Sequence, residues 1–175
     1  MKVVIVGDGK VGGTVARQLS AEGHDIIVID NNTKVLNTAS QTMDIMSVEG
    51  NGASMAVQRR AGVPDADLLI AATSLDEVNM LSCLVAKKVG VNNTIARVRN
   101  PEYSSGIRLI QDELGLSMSL NPELATASEM ARLMRAPSAI KIDSFARGKI
   151  ELYKVQLPGN SPLDGCKLME LGKTH

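Results

Sequence analysis

Aromatic residues are nearly missing from this chain: no tryptophan, one phenylalanine and two tyrosines, 2% of 175 residues. That scarcity leaves no stacking platforms of the kind RNA readers use. The core must then come from Val, Ile, Leu, Ala and Met, with the nine methionines as gap fillers. An excess of charge is missing as well, since 19 Lys and Arg face 19 Asp and Glu. No broad pull toward nucleic acid or an anionic membrane follows, and nucleic acid is not expected as a partner. No apolar run approaches the roughly 20 residues that cross a bilayer. Met1 opens directly into a strand-like run, without a basic segment and signal core, so the cytoplasm is the expected location. The two cysteines, Cys83 and Cys166, lack metal-ligand spacing. Cys83 lies among Leu81, Leu84 and Val85 in a helical pattern and reads as a buried, inert thiol. Of the two histidines, His24 precedes the second strand-like run, on the wrong sheet edge for catalysis, and His175 is the last residue. Neither is placed as a general base for hydride transfer, and no Cys–His or Ser–His–Asp arrangement is evident.

What the chain does have is a rhythm. Short runs rich in branched side chains recur at Val3-Val4-Ile5-Val6, Ile26-Ile27-Val28-Ile29, 44–48, 68–72 and 94–98, with a shorter one at 117–120. Hydrophobicity on both faces marks strands of a parallel sheet, and parallel neighbours need crossovers, usually helical. Helical patterns fill the gaps at 11–21, 32–42, 54–61 and 75–89. Gly23, Gly62 and Gly90 follow three of them as stops. Pro101 and Pro122 each suit the first turn of a further helix, the second running to about Arg135 with Pro137 beyond. The spacing predicts a Rossmann-like, doubly wound α/β fold over residues 1–136. After Pro137 the pattern alternates over Ala139–Phe145 and 149–157, with Arg147-Gly148 between. A β-hairpin is expected, opening an incomplete second domain over 137–175.

The first loop reads Gly7-Asp8-Gly9-Lys10-Val11-Gly12-Gly13. Gly7 lets the chain turn off the strand, Gly9 clears the backbone for a phosphate, and Gly12 lets helix and sheet pack closely. The unpaired amides that open the helix, around Lys10, Val11 and Gly12, then face the phosphates. Asp30 closes the second strand, where a carboxylate accepts hydrogen bonds from ribose hydroxyls and repels a 2′-phosphate. Asn31 supplies no arginine for such a phosphate. NAD(H) is favoured over NADP(H), while ATP and ADP carry the same ribose and stay open. Asn51, Gly52 and Ala53 follow the third strand, with Asn51 at the adenine edge and Ala53 at its face; the alternative is a turn capped by Ser54. Ala72, Thr73 and Ser74 end the fourth strand at the carboxyl edge, with Thr73 the preferred ligand. Asp76 and Glu77 read as first-turn helix acids. Arg97 and Arg99, two residues apart, are expected on one side, facing either a phosphate tail or a surface carboxylate.

Three stretches together, residues 1–30, AATSLDEVNM at 71–80 and IARVRNPEY at 95–103, resemble the TrkA family. This family comprises cytosolic regulatory subunits of bacterial and archaeal Trk-type potassium uptake systems, whose N-terminal unit is the RCK or KTN domain. The resemblance covers roughly residues 1–136, and Ser161-Pro162-Leu163-Asp164-Gly165 is similar to the start of the family's C-terminal domain. It implies a homo-oligomer, a dimer or a ring, beneath a potassium-translocating membrane subunit, and gating by a bound nucleotide. It implies a nucleotide site lined by Gly7, Gly9, Gly12, Asp30, Asn51, Thr73 and Arg99, with Arg97 a further candidate. Glu123 matches a position where some relatives hold a divalent cation; a first-turn helix acid is the preferred reading, and no metal is expected. Without a placed catalytic group the chain reads as a non-enzyme that binds NAD(H) or ATP/ADP. The alternatives are the cofactor domain of an NAD-dependent oxidoreductase and a structural domain that holds its nucleotide permanently.

Overall fold

A computed structural model describes residues 1–135, 139–146, 149–159, 161 and 163–167. The chain divides into two compact units, Met1–Leu124 and Ala125–His175. In the first, strands β1 (Lys2–Val6), β2 (Asp25–Asp30), β3 (Met46–Glu49), β4 (Leu68–Ala71), β5 (Asn93–Arg97) and β6 (Met118–Leu120) form one parallel sheet in the order β3-β2-β1-β4-β5-β6. Helices α1 (Lys10–Ala21), α2 (Thr33–Thr42), α3 (Met55–Arg60), α4 (Asp76–Val89) and α5 (Pro101–Ile110) make the crossovers. This strand order is that of the doubly wound dinucleotide fold, and it reverses direction between β1 and β4, where such sheets bind ligands.

Strand periodicity explains the two layers. Val3 and Ile5 point to one face, where they pack with Ile26, Val28, Ala16 of α1 and Leu36 of α2. Val4 and Val6 point to the other, against Ile27, Ile29, Leu69 and Cys83 and Ala86 of α4. Because β1 is central and covered on both sides, Val3 through Val6 are all buried. Burial also pushes the Cys83 thiol up to about 12, which makes it as inert as expected.

The predicted elements are present, with shifted ends. The third strand runs over Met46–Glu49, not 44–48: its pairing begins at Ile27 opposite Met46, and Asp44 is exposed with its carbonyl accepting from Ser20 Oγ. The third helix is cut to six residues because Gly62, at φ +67°, turns the chain into a short 3-10 turn over Val63–Asp65. β5 stops at Arg97, one residue earlier than the apolar run.

The second unit takes in most of α6 (Pro122–Arg135) and an antiparallel pair, β7 (Ala139–Phe145) and β8 (Ile150–Val155). The expected hairpin strands are thus seen, β8 ending short of Leu157. Pro137, the Arg147-Gly148 turn, Pro162 and His175 lie outside the described residues.

Candidate functional site

The strand ends of β1, β2, β4 and β5 open on a cleft of about 630 Å³. The glycine turn forms its floor. Gly7 follows β1 at φ +95°, and a Cβ there would stand 2.9 Å from the backbone nitrogen of Thr73. Only glycine meets both conditions without moving the β4 end. Gly12 is not in the wall. It lies one turn into α1, where a Cβ would come within 1.8 Å of the Gly7 carbonyl oxygen. Its role is therefore to seat the helix against the turn. Gly9 differs, since a Cβ there would meet no protein atom within 4 Å. It caps α1 without a side-chain bond, and no acid occupies the first turn. The amides of Lys10, Val11 and Gly12 thus keep the dipole and donor capacity of an anion-binding helix start.

Asp30 stands opposite. Its Oδ2 accepts the Asp8 N–H at 2.7 Å and its Oδ1 accepts the Asn32 N–H at 2.8 Å. The carboxylate therefore holds the glycine turn and the start of α2 in place, and its remaining lone pairs face the cleft beside Asn31. Burial, and then the Asp30 charge, hold the Asp8 carboxyl above its ordinary range, while Arg17 opposes the shift.

On the third side are Gly50, Asn51 and Gly52. Asn51 Oδ1 accepts the Ala53 N–H at 2.9 Å, so part of its capacity goes to its own loop. Ser54 is the cap position of α3 but makes no side-chain cap bond. Gly52 is buried against Val6, whose Cγ1 would be 2.0 Å from a Cβ. Beneath it, buried Gln58 donates to the Gly52 and Ser82 carbonyls at 2.7 and 2.8 Å, fastening the loop to α4. Ala53 lies outside the wall.

The fourth side is the β4 end, Ala72, Thr73 and Ser74, with Arg97 of β5 behind. Fully buried Asn79 ties these together. Its Oδ1 accepts the Thr73 N–H at 2.8 Å and Thr73 Oγ1 at 2.7 Å, while its Nδ2 donates to the carbonyls of Thr73 and Arg97 at 3.2 and 2.9 Å.

Asp76 and Glu77 are first-turn acids of α4, as expected, and each does more than that. Asp76 is also a buried brace: its Oδ2 accepts the N–H groups of Arg99 and Asn100 at 2.8 and 2.7 Å. Glu77 accepts from Tyr103 Oη at 2.6 Å. Arg97 and Arg99 both reach the β4 end, Arg97 at the Thr73 carbonyl and Arg99 at that of Ser74, as expected of one side, but only Arg97 is in the cleft wall. Arg99, beyond the end of β5, lies outside the wall, with Asp76 Oδ1 3.6 Å from its Nε. Glu123, at the start of α6, pairs with Arg97.

The structure thus brings Gly7, Gly9, Lys10, Val11, Asp30, Asn31, Asn51, Gly52, Ala72, Thr73, Ser74 and Arg97 round one cleft, and leaves Gly12, Ala53 and Arg99 behind it or outside it. Sequence reasoning missed Val6, Ile29, Gly50, Leu75 and Val78 in the wall. The first two were legible as the last apolar residues of their strands.

A parallel sheet in this order, with a glycine turn at its first crossover and an acid closing its second strand, defines a domain of the Rossmann dinucleotide-fold class. Comparison with known proteins narrows the class. The TrkA-N domain model matches residues 3–122, and the chain belongs to that family. It is 41% identical over 171 residues to the "Trk system potassium uptake protein TrkA homolog" of Archaeoglobus fulgidus, a match covering 98% of this chain and 39% of that protein. The chain spans about two fifths of the length of the curated relatives it matches. Among solved structures, the TrkA-N domain of inner membrane protein ybaL from Escherichia coli superposes with a TM-score of 0.67 at 21% identity, over 76% of this chain and 96% of that one. The GsuK channel bound to NAD gives 0.59 at 23%, over 68% and 21%. The AMP-bound Kef C-terminal domain of Shewanella denitrificans gives 0.62 at 22%, over 78% and 82%. At these identities the structures establish the fold.

Proposed function

We propose that residues 1–136 form the nucleotide-binding domain of a regulatory subunit for a Trk-type potassium transporter, and that residues 137–175 open a second domain. The observation that carries this is the cleft at the point where the strand order reverses, bounded by the α1 start on one side and the Asp30 carboxylate on the other. The two are matched to a pyrophosphate and an adenosine ribose. NAD(H) and ATP/ADP both present those groups. A Rossmann relative that holds NAD and one that holds AMP support this ligand class. The charged groups in the wall are Lys10, Asp30 and Arg97, and Asp30 already holds two loop amides. That set binds and orients, and we assign it no reaction. Binding would bias a homo-oligomer that docks on a potassium-translocating membrane subunit at the inner face of the membrane. None of the described helices is long and apolar enough to span the bilayer itself.

Calorimetric titration of the chain with NAD⁺, NADH, ATP and ADP tests the reading. At least one should bind, and Asp30→Ala should weaken binding by about tenfold or more, the loss of charge-assisted hydrogen bonds. No binding of any of the four would remove the sensor reading. Turnover of NADH with a substrate would replace it with the oxidoreductase.

A further inference from the structure

Arg97 belongs to two places at once. Its guanidinium lines the cleft, and its Nη2 pairs with Glu123 of α6. The Arg97 side chain is 14% exposed and that of Glu123 is 53% exposed. Arg97 Nη1 donates to the Thr73 carbonyl at 3.3 Å, a long bond, and Nε is buried with no acceptor. A buried guanidinium that leaves a donor unmet is under-satisfied, and an oxyanion meets that need better than a carbonyl does. Its main chain does not move freely, because Asn79 holds the Arg97 carbonyl and the β4 end together. The guanidinium tip is thus a cation on a fixed stem, with a carboxylate on one side and the nucleotide cleft on the other. Glu123 is also exposed enough to be solvated when it lets go, so releasing it costs little.

We propose that Glu123 is an internal competitor for Arg97, so that the phosphate charge of a bound nucleotide is read out as loss of the Arg97–Glu123 pair at the start of α6. This deepens the nucleotide-site reading and rests on it. A phosphate that reaches the β5 end takes the Arg97 donors and frees Glu123. A ligand without phosphate leaves the pair intact. Glu123 stands in the first turn of α6, so the ligand's charge becomes a change in how that first turn is held.

The test is calorimetric titration of the whole chain and of Glu123→Gln with ATP and with adenosine, repeated in an Arg97→Met background. Glutamine keeps the side-chain shape and removes the charge. Relief of competition should tighten ATP about two- to fivefold in Glu123→Gln, the scale of a partly exposed ion pair. Adenosine affinity should not change, and the gain should vanish when Arg97 is Met. Hydrogen exchange in the first turn of α6 should rise on ATP saturation in the parent chain. Unchanged or weaker ATP binding in Glu123→Gln, an equal gain for adenosine, or a gain that survives Arg97→Met would each overturn the competition while leaving the nucleotide site standing. Failure of all the chains to bind ATP and adenosine would overturn both.

Discussion

The two units spend their apolar residues in opposite ways. Among the described residues, every buried apolar side chain but Ile142 lies in Met1–Leu124, on one face or the other of a sheet whose central strand is sealed on both sides. In the second unit α6 buries none, and Ile140, Phe145, Ile150, Leu152, Tyr153 and Val155 are exposed along the hairpin. A helix and a two-stranded ribbon offer too few layers to bury such side chains, and an isolated hairpin is marginal. The proposed nucleotide cleft would need backbone that cannot shift. The first unit supplies it through buried polar ties such as Asn79 and Asp76, set among well-packed neighbours.

Core truncation should break that contrast most visibly. Leu69 is fully buried and Leu152 is 60% exposed. Leu69→Ala should cost about 2–5 kcal/mol of stability in denaturant unfolding, whereas Leu152→Ala should stay within about 0.5 kcal/mol. Similar losses at the two positions would mean that the β8 face is covered in solution.

A second pair of variants sharpens the contrast within the first unit. Gly12→Ala forces a Cβ onto the Gly7 carbonyl, and Gly9→Ala meets no protein atom. The former should destabilise the fold by about 1–3 kcal/mol, as overpacking does. The latter should leave the melting temperature within a degree or two while weakening nucleotide binding, a loss seen by calorimetry. Equal melting temperatures for the two would remove the division between a glycine that seats the helix and one that only lines the cleft.

These effects show why some of the molecule was legible in the sequence. The continuous runs at Val3–Val6 and Ile26–Ile29 allow little but a strand covered on both sides, and Gly7, Gly9 and Asp30 sit at strand and helix ends that such runs locate. What stayed hidden depends on partners far along the chain. Asp76 is the first-turn helix acid it looked like, but its bracing role was hidden because its two amide partners are 23 and 24 residues away. Arg99 meets the Ser74 carbonyl 25 residues away, and the Arg97–Glu123 pair joins residues 26 apart. Periodicity reports which face a residue occupies; it says nothing of which distant loop that face meets.

Thiol chemistry gives a smaller test of the same burial. Iodoacetamide should not label Cys83 in the native chain at pH 8, because its buried thiol, held at about 12, supplies almost no thiolate. Peptide mapping should find it labelled once the chain is unfolded. Native labelling at a rate near that of the unfolded chain would show that α4 opens readily from the sheet.

The smallest expected effect compares a tyrosine–glutamate pair in each unit. Tyr103 packs on the first unit's core and donates to Glu77, whereas Tyr153 is 41% exposed and donates to Glu151. The bond from Tyr103 holds the Glu77 carboxyl below its ordinary range and the Tyr103 phenol above its own. Since the Glu77 pKa is lowered on folding, the pair's contribution is fully present above the unfolded carboxylate value of 4.5 and fades as pH falls through the lower folded value. The phenol acts at the other end: its raised pKa means that the contribution is also lost as pH climbs through the alkaline range. The stability difference between the parent chain and Tyr103→Phe should therefore be level from about pH 6 to 8 and shrink on both flanks, measured by urea unfolding at each pH. Tyr153→Phe should change stability less than Tyr103→Phe at neutral pH, because an exposed pair on a solvated strand exchanges one hydrogen bond for another with water. If Tyr153→Phe had the larger effect, the hairpin would be the better-ordered region and the contrast between the units would reverse.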